Sequence, residues 1–224
     1  MSWIPVAVFE LIARLAVDGV VLAVRLERKR TEAMGLLAQQ MRFSFSPKDT
    51  GAMLSRLGGF HLFSTGRSRR ITNAMHGDAK GIEVGIFDYR YTTGGGRNSH
   101  TWSQTVICFW SEMLKLPDFS LRPEHVFDKI GSLLGFQDID FSRYPTFSKK
   151  YLLKGSDEEA IRAAFNEPVL AFYESVQGLS TEGAGACLVY YRSRKRVKPP
   201  EIMSFMEDGF RVFELFASGR PKVP

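Results

Sequence analysis

The N-terminal run constrains this chain more than any other part of its sequence. Residues 3–26 read WIPVAVFELIARLAVDGVVLAVRL and lead directly into the basic sequence ERKR. About 20 mostly apolar residues are enough for a helix to cross a membrane. A cleaved leader is not indicated, because a leader carries its basic residues before the apolar core. The run therefore predicts a long apolar helix associated with a membrane; packing on the chain's own domain and an oligomer interface are the alternatives.

Three charged residues interrupt the apolar run, each four residues after the last. Glu10, Arg14 and Asp18 fall on one narrow stripe of a helix, with Glu10 and Arg14 in the favourable order for an ion pair. Each would cost roughly 2.5–3.5 kcal/mol at the centre of a bilayer, so insertion as a lone span is marginal. We expect the stripe to be an intramembrane or interfacial polar surface that faces a partner protein or water.

The basic residues after the run predict how the chain is oriented. No lysine or arginine precedes the apolar run, whereas Arg25, Arg28, Lys29 and Arg30 follow it as a basic flank. Positive residues favour the cytoplasmic side of a membrane. If the helix spans, the rest of the chain lies on the cytoplasmic side; a soluble cytoplasmic protein is the alternative.

After residue 42 the hydrophobic pattern changes from helical to alternating. The strand-like segments are FHLFS, RITNAMH, GIEVGIFDYRY and TWSQTVICFW, and short turn sequences join them. This pattern predicts an antiparallel β-meander. We therefore divide the chain into a membrane-associated or membrane-spanning helix with its basic flank, residues 1–42, and an α+β globular domain, residues 43–224.

Helices and further strands are predicted around the meander. The helical segments are AMLSRLGG, RPEHVFDKIGSLLGF, SDEEAIRAAF, EPVLAFYESV and PPEIMSFMEDGFRVFELF. Ser156 and Glu159 have the spacing of a capping box at one of these helix starts. The strand-like segments here are DIDF, FSKKYLLKG and GACLVYYRS. The fold class is α+β, with packed helices and no strict alternation of strand and helix.

The loop TTGGGRN raises the question of phosphate binding. A phosphate loop needs a strand before it and a helix after it, because the helix N-terminus complements the negative charge. Here an alternating strand follows, and no Lys-Ser or Lys-Thr comes after the glycines. Gly94, Gly95 and Gly96 are therefore interpreted as a hairpin turn that needs positive φ angles.

Basic residues are expected to gather at one edge of the meander. Alternate connections lie at the same end of such a sheet, which brings together Arg67, Arg69, Arg70, Arg97 and His100. This basic edge would bind a partner protein or an anionic surface; a solvated rim is the alternative. A second basic run, RSRKRVK, is a candidate extension of this edge.

The overall charge favours an anionic partner but does not indicate whether it is a protein, a lipid surface or a nucleic acid. The chain has 30 basic and 24 acidic residues, a net charge of +6 and a pI near 9.4. Nucleic acid is an unlikely partner, because the aromatic residues Phe87, Tyr89 and Tyr91 alternate as core residues do. The cysteines, Cys108 and Cys187, each lie in an apolar run and are predicted to be reduced core thiols.

No catalytic or cofactor signature is present in the sequence. The histidines lack metal-ligand spacing, and no nucleophile elbow occurs, so we predict no cofactor, no metal and no small-molecule substrate. The alternative is a ligand-binding or hydrolytic enzyme that uses a cleft near Asp138, Asp140 and His125.

Several runs of the chain resemble a group of uncharacterised bacterial proteins. The runs are FDYRYTTGGGRNSHTWSQTV, LPDFSLRPE and DIDFSRYPTFSKKYLLKGSDEEAIRAAF, within residues 40–215. In that group an apolar N-terminal segment precedes a soluble domain, which implies a membrane-tethered cytoplasmic domain and no particular activity. The stripe of charges in the first helix departs from the plain apolar anchor of the group.

The sequence thus predicts a non-enzymatic accessory or scaffold subunit. Its first helix would dock in or on the membrane beside an integral membrane protein complex, or the domain would meet an anionic lipid surface. An enzyme and, more weakly, a nucleic-acid-binding protein that uses the basic edge are the alternatives.

Overall fold

The computed structural model describes residues 4–124 and 138–218 of the chain. The α-helices are α1 Ile4–Met41, α2 Ala52–Arg56, α3 His61–Ser64, α4 Pro145–Lys150, α5 Glu158–Ala164, α6 Glu167–Ser175 and α7 Ile202–Ser218. The strands are β1 Ser44–Lys48, β2 Arg67–Ala79, β3 Ile82–Thr93, β4 His100–Trp110, β5 Leu116–Pro123, β6 Tyr151–Gly155, β7 Ser180–Gly185 and β8 Cys187–Tyr191. Single 3₁₀ turns lie at Gly96–Asn98 and Pro199–Glu201.

The strands form one eight-stranded sheet in the order β1-β2-β3-β4-β8-β7-β5-β6, and every described pair is antiparallel. The predicted meander is confirmed in β2, β3 and β4. The turn between β3 and β4 uses positive φ angles at Gly94 and Gly96, as the sequence predicted, whereas Gly95 is extended. The α+β class, with an antiparallel sheet and packed helices, is confirmed.

Helices cover the two faces of the sheet unequally. The larger core lies between one face and helices α1, α5, α6 and α7, and its buried residues include Ile86, Ile107 and Leu121 of the sheet. The smaller core lies under α2 and α3 and includes the predicted core aromatics Phe87, Tyr89 and Tyr91. Alternation along β3 sends these two sets of side chains to opposite faces.

Phenylalanines dominate the contact between α7 and the sheet. The predicted apolar face of this helix, Ile202, Phe205, Phe210, Phe213 and Phe216, is buried. The ring of Phe109 on β4 packs on Phe210 and Phe213, with ring centroids 4.9 and 5.8 Å apart. A side chain at Gly209 would collide with Phe109, so the close approach of α7 depends on this glycine.

The first helix has two parts with different surroundings. Its C-terminal part packs on the larger core, where Met34 and Ala38 are fully buried. Its apolar residues between positions 8 and 26 are exposed. No helix in the described ranges meets the length and hydropathy needed to cross a membrane, so the predicted spanning helix is not supported. Glu10, Arg14 and Asp18 lower the hydropathy of the only long apolar stretch.

Two predicted strands are wrong. FHLFS forms helix α3 rather than a strand, because the buried Glu182 carboxylate accepts from the backbone N–H of Leu62, and the hydroxyl of Thr65 binds the carbonyl of His61 at 2.8 Å. DIDF is irregular, although Ile139 donates to the carbonyl of Leu153 at 2.9 Å. In both segments, hydrogen bonds to other residues determine the structure, although the local sequence pattern favours a strand.

Smaller differences concern caps and short elements. Asp157, not Ser156, caps α5, since its carboxylate accepts from the backbone N–H of Ala160 at 2.9 Å. FSKKYLLKG is helical up to Lys150 and becomes a strand only at Tyr151. The sequence did not identify β5 and β7. The predicted helix RPEHVFDKIGSLLGF lies mostly outside the described residues.

Candidate functional site

The N-terminal part of α1 exposes a large apolar surface. We call residues 8–26 the arm. Its apolar side chains are 43% to 74% exposed: Val8, Phe9, Leu11, Ile12, Leu15, Val17, Val20, Val21, Leu22, Val24 and Leu26. Soluble proteins seldom expose contiguous apolar patches of this kind, which mark contact with proteins or membranes. Within the described residues, the arm's apolar side chains have no core to pack against.

The charged residues of the arm all lie on one side of it. At 100° per residue, Glu10, Arg14, Asp18 and Arg25 fall within about 80° of the helix circumference. Arg28 and Glu32 continue this charged stripe along the helix. Met34 and Ala38, which face the sheet, lie on another side of α1. The part of the stripe that lies in the arm therefore points away from the domain core, and most of the arm's circumference is apolar. Arg28 and Glu32 lie beyond the arm, where they border the space between α1 and the sheet.

A buried ion pair fixes α1 to the sheet where the arm ends. The guanidinium of Arg30 donates to both carboxylate oxygens of Asp88 on β3, from Nε at 2.7 Å and from Nη2 at 2.6 Å. The two side chains are only 12% and 6% exposed. Arg30 also donates to the carbonyl of Val197 at 2.8 Å. Arg30, which the sequence placed in the basic membrane flank, is thus held inside the protein.

Asp88 is surrounded by further donors. Thr105 and Asn73 each donate to it at 3.0 Å, and Nη2 of Arg196 lies 3.5 Å from its carboxylate. Asn73 is buried with a φ of 52°, a conformation that costs a non-glycine residue about 1 kcal/mol or more. This bulge in β2 turns the Asn73 side chain towards Asp88. These donors satisfy the carboxylate of Asp88 in its buried position.

Arg196 links this ion pair to α1 directly after the arm. Its guanidinium binds the carboxylate of Glu27 on α1 at 2.6 and 3.0 Å. Burial, the largest single effect, lowers the pKa of Arg196, but hydrogen bonding to Glu27 and the charges of Asp88 and Glu27 together raise it above its usual value. In the second basic run of the sequence, residues 192–198, Arg196 therefore contacts α1 and Asp88, whereas Arg194 lies over the ring of Trp102 on β4.

A cavity of about 830 Å³ lies between α1 and the sheet beside this ion pair. Its roof is the segment of α1 from Ala23 to Glu32, and its floor is made by β1, β2, β3 and β4. The cationic side chains that line it are Arg28, Lys48, Arg70, Arg90 and Arg196. The acidic ones are Glu27, Glu32 and Asp88, of which Glu27 and Asp88 are already paired with arginines.

The predicted basic edge is only partly assembled. Arg67 reaches the glycine loop, where it donates to the carbonyl of Gly94 and to the hydroxyl of Ser99, the latter at 2.9 Å. Arg69 donates to the carbonyl of Phe63 under α3. Arg97 is exposed at the loop tip.

The other two members of the predicted edge are placed differently. Arg70 lines the cavity under α1, while the ring of His100 stacks on Trp102 with centroids 5.8 Å apart. The guanidinium of Arg194 lies 3.8 Å above the same Trp102 ring. The five predicted residues thus belong to four different surroundings.

The acidic residues named for an enzyme have other contacts. The carboxylate of Asp138 accepts from the backbone N–H of Leu153 at 2.9 Å, and its pKa is raised mainly by partial burial. The carbonyl of Asp140 accepts from Arg162 at 2.9 Å. His125 lies outside the described residues. Across the ranges that the structure describes, no three histidine, cysteine or acidic side chains are grouped so that they could hold a metal ion.

A second buried carboxylate, Glu182, supports α3 rather than a site. It accepts from the hydroxyl of Tyr191 at 2.8 Å and from the backbone N–H of Leu62 at 3.2 Å. Burial raises its pKa above the usual value. The cysteines are free and buried, as predicted, and burial raises the pKa of Cys187 to about 12 and that of Cys108 well above its usual value.

Sequence reasoning missed Asp88, Asn73, Arg196 and Glu27. One signal was available: Asp88 is the only charged residue in the apolar run GIFDY of β3. A charge in the middle of a central strand needs a buried partner. The partner, Arg30, is 58 residues away, so the sequence pattern alone did not identify it.

These features define an α+β domain built on one eight-stranded antiparallel sheet, with an exposed helical arm and a polar cavity at its root. The crystal structure of the mycobacterial trehalose monomycolate transport factor A, TtfA, is similar to it, with a TM-score of 0.62 and 14% sequence identity. The similarity covers 88% of this chain and 99% of that one. No protein-family model matches the chain, and no curated protein is significantly similar to it in sequence.

Proposed function

We propose that this protein is a non-enzymatic accessory subunit of a membrane-associated assembly, and that its arm holds it at the membrane. The observation that carries the proposal is the exposure of every described apolar side chain in the arm. The globular domain stays in water on the cytoplasmic side. The charged stripe faces the water or a polar surface of an integral membrane partner.

Free-energy magnitudes favour an interfacial arm over a spanning one. Burial of a Val, Leu, Ile or Phe side chain stabilises by about 1.5–3 kcal/mol, so the arm as a whole gains on the order of 10 kcal/mol or more in an apolar host. Moving Glu10, Arg14 and Asp18 to the bilayer centre costs about 2.5–3.5 kcal/mol each, which offsets a large part of that gain. At the interface the stripe remains in water, and the gain from the apolar side chains is kept.

The similarity in structure supports an accessory role. The similar solved protein is named as a transport factor, not as an enzyme. An exposed apolar arm is compatible with an accessory role beside a membrane transport system.

Flotation of the full-length protein with phospholipid vesicles tests the arm. We expect the protein to float with vesicles, and Leu15→Asp to weaken this binding at least tenfold, because a charge at the apolar side costs about 2–3 kcal/mol in lipid. Leu36→Asp is the matched control, since Leu36 lies on the same helix outside the arm with 61% exposure, against 62% for Leu15. It should float as the wild type does.

Two outcomes would overturn the membrane arm. One is a wild-type protein that forms a defined dimer in solution and does not float, because a second copy would then cover the arm. The other is equal loss of binding in Leu15→Asp and Leu36→Asp. Light scattering of the eluted protein before flotation distinguishes the dimer from a monomer.

The accessory role has its own test. A photo-reactive residue in place of Arg14, on the charged stripe, should crosslink an integral membrane protein in native membranes, and Leu15→Asp should abolish that crosslink. Crosslinks to lipid alone, with no protein adduct, would leave the arm at the membrane but contradict the partner.

A further inference from the structure

The floor of the cavity under α1 carries two arginines that face each other. Arg70 on β2 and Arg90 on β3 are directly paired in the register of the sheet, so their side chains leave the same face. Like charges placed directly opposite each other on neighbouring strands destabilise a sheet. Arg90 is also paired with Ser103 on β4, which adds a hydroxyl group to this row.

The next row of the floor contributes one more cation. Lys48 on β1 is paired with Thr72 on β2, and Thr72 is paired with Asp88 on β3. The carboxylate of Asp88 is paired with Arg30. Lys48, Arg70 and Arg90 therefore have no free acidic neighbour on the floor. The roof adds Arg28 from α1.

These four cations, Arg28, Lys48, Arg70 and Arg90, share one property. None of their side chains has a hydrogen bond or an ion pair to any residue that the structure describes. The only other unpaired charge in the cavity lining is Glu32. The cavity therefore concentrates positive charge from the floor and from the roof, while the neighbouring arginines Arg30 and Arg196 are neutralised.

We propose that this cavity binds a phosphate group, carried by a lipid headgroup or by a soluble phosphate ester. A guanidinium presents paired N–H donors that match the oxygens of phosphate, and a phosphate accepts from several sides at once. The anion would sit between Arg70 and Arg90 and would relieve their repulsion. A volume of about 830 Å³ leaves room for a polar headgroup attached to the phosphate.

This inference rests on the proposed membrane function and specifies a ligand for it, because the cavity lies beside the arm. The roof, from Ala23 to Glu32, begins where the arm ends. A headgroup held there would lie at the level where an interfacial arm leaves the membrane. The phosphate chemistry does not depend on the arm, so the site can be tested with soluble ligands as well as with vesicles.

The test compares two double variants of the full-length protein. Arg70→Ala with Arg90→Ala removes the facing pair, whereas Lys115→Ala with Arg143→Ala removes the same charge from positions outside the cavity that are exposed, as Arg70 and Arg90 are. Calorimetric titration with sn-glycerol 3-phosphate probes a soluble ester. Flotation on phosphatidylcholine vesicles with and without phosphatidylglycerol probes a lipid headgroup.

The site predicts that the cavity variant weakens binding of at least one phosphate ligand tenfold or more, while the control variant stays within about twofold of the wild type. Binding to glycerol 3-phosphate identifies a soluble source, and a dependence on phosphatidylglycerol alone identifies a lipid source. Equal losses in both variants, or no binding to either probe by the wild type, would overturn the site. The membrane arm is tested separately: if the arm does not bind lipid, the wild type will not float with pure phosphatidylcholine vesicles.

Thermal unfolding gives a second readout that does not need the double variant to be fully stable. Without phosphate and at low salt, Arg70→Gln should unfold at the same or a higher temperature than the wild type, because the repulsion is removed. Phosphate should raise the unfolding temperature of the wild type and not that of Arg70→Gln. A lower unfolding temperature in Arg70→Gln, with an unchanged phosphate response, would contradict the proposal.

Discussion

Asp88 shows how a single buried charge holds the first helix in place. Its carboxylate accepts from Arg30 at 2.7 and 2.6 Å, and only 6% of its side chain is exposed. Removing one partner of a buried ion pair leaves the other charge uncompensated in a poorly solvating environment. The pair therefore shows its effect on stability when one partner is removed, because the free energy of unfolding then falls.

Asp88→Asn should lower the free energy of unfolding by about 3–5 kcal/mol, because the Arg30 guanidinium stays buried without its counter-charge. Glu83→Gln is the control. Glu83 pairs with Arg56, but these side chains are 37% and 44% exposed, so the loss should be under about 1 kcal/mol. Urea denaturation measures both values. Similar losses for the two variants would show that Asp88 is not the buried anchor described above.

His61 gives the fold a defined pH dependence. Burial lowers its pKa from 6.5 to about 4, with smaller effects from Arg122 and Lys154. Between these two values the unfolded chain binds a proton that the folded chain does not. The contribution of His61 to the free energy of unfolding is therefore fully present above pH 6.5 and is lost as the pH falls from 6.5 through 4.

We expect His61→Gln to remove this part of the acid sensitivity. The wild type should lose about 1–3 kcal/mol more than the variant between pH 7 and pH 4. The pKa of Glu83 is lowered to about 2, mainly by Arg56, so its contribution to stability begins to fall near pH 4.5. Both proteins carry Glu83, so this effect cancels in the difference between them. Urea denaturation midpoints measured across this pH range test the prediction. If the midpoints of the two proteins change with pH in parallel, His61 is not the source of the acid sensitivity.

The first helix combines an ordinary packed segment with the arm. Met34 and Ala38 belong to the larger core, whereas Val20 is 64% exposed. An exposed apolar side chain in water contributes little to folding, while truncation of a buried one loses transfer energy and leaves a cavity. The two parts of α1 should therefore respond differently to the same kind of substitution.

In water, Met34→Ala should destabilise the protein by about 2–5 kcal/mol, and Val20→Ala should change its stability by less than about 0.5 kcal/mol. Chemical denaturation of the monomer in the absence of lipid measures both. A loss of more than about 1 kcal/mol for Val20→Ala would mean that the arm packs on the chain itself.

Elements with a strong pattern could be predicted from the sequence, and elements that depend on distant partners could not. The segments of β3 and β4 alternate over ten residues or more, and α7 repeats its phenylalanines on one face. α3 looked like a strand until Glu182, 120 residues away, supplied an acceptor for Leu62. β7 reads STEGAG, which has a buried glutamate and two glycines instead of β-formers.

At the scale of the whole molecule, the arm was predictable and the cavity was not. The arm follows from its composition, and the three charges that argue against spanning were visible in the sequence. The cavity needs β2, β3 and α1 to meet, and the sequence had assigned Arg70 to a different surface, the glycine-loop edge. The orientation of the domain towards the cytoplasm remains a prediction from the basic flank.

The proposed membrane role depends most on the position of the arm in the membrane interface, with its charged stripe towards water. Nitroxide labels at Ala16→Cys, opposite the stripe, and at Val21→Cys, within it, test this claim in the full-length protein. Cys108 and Cys187 are buried with raised pKa values, so the new thiols will be labelled in preference.

In the presence of vesicles, oxygen in the bilayer should relax the Ala16 label more strongly than an aqueous nickel reagent does, and the Val21 label should show the reverse. That difference is what an interfacial helix with one wet side requires. If both labels stay equally accessible to the aqueous reagent, the arm is not in lipid, and the proposed membrane role of this protein is wrong.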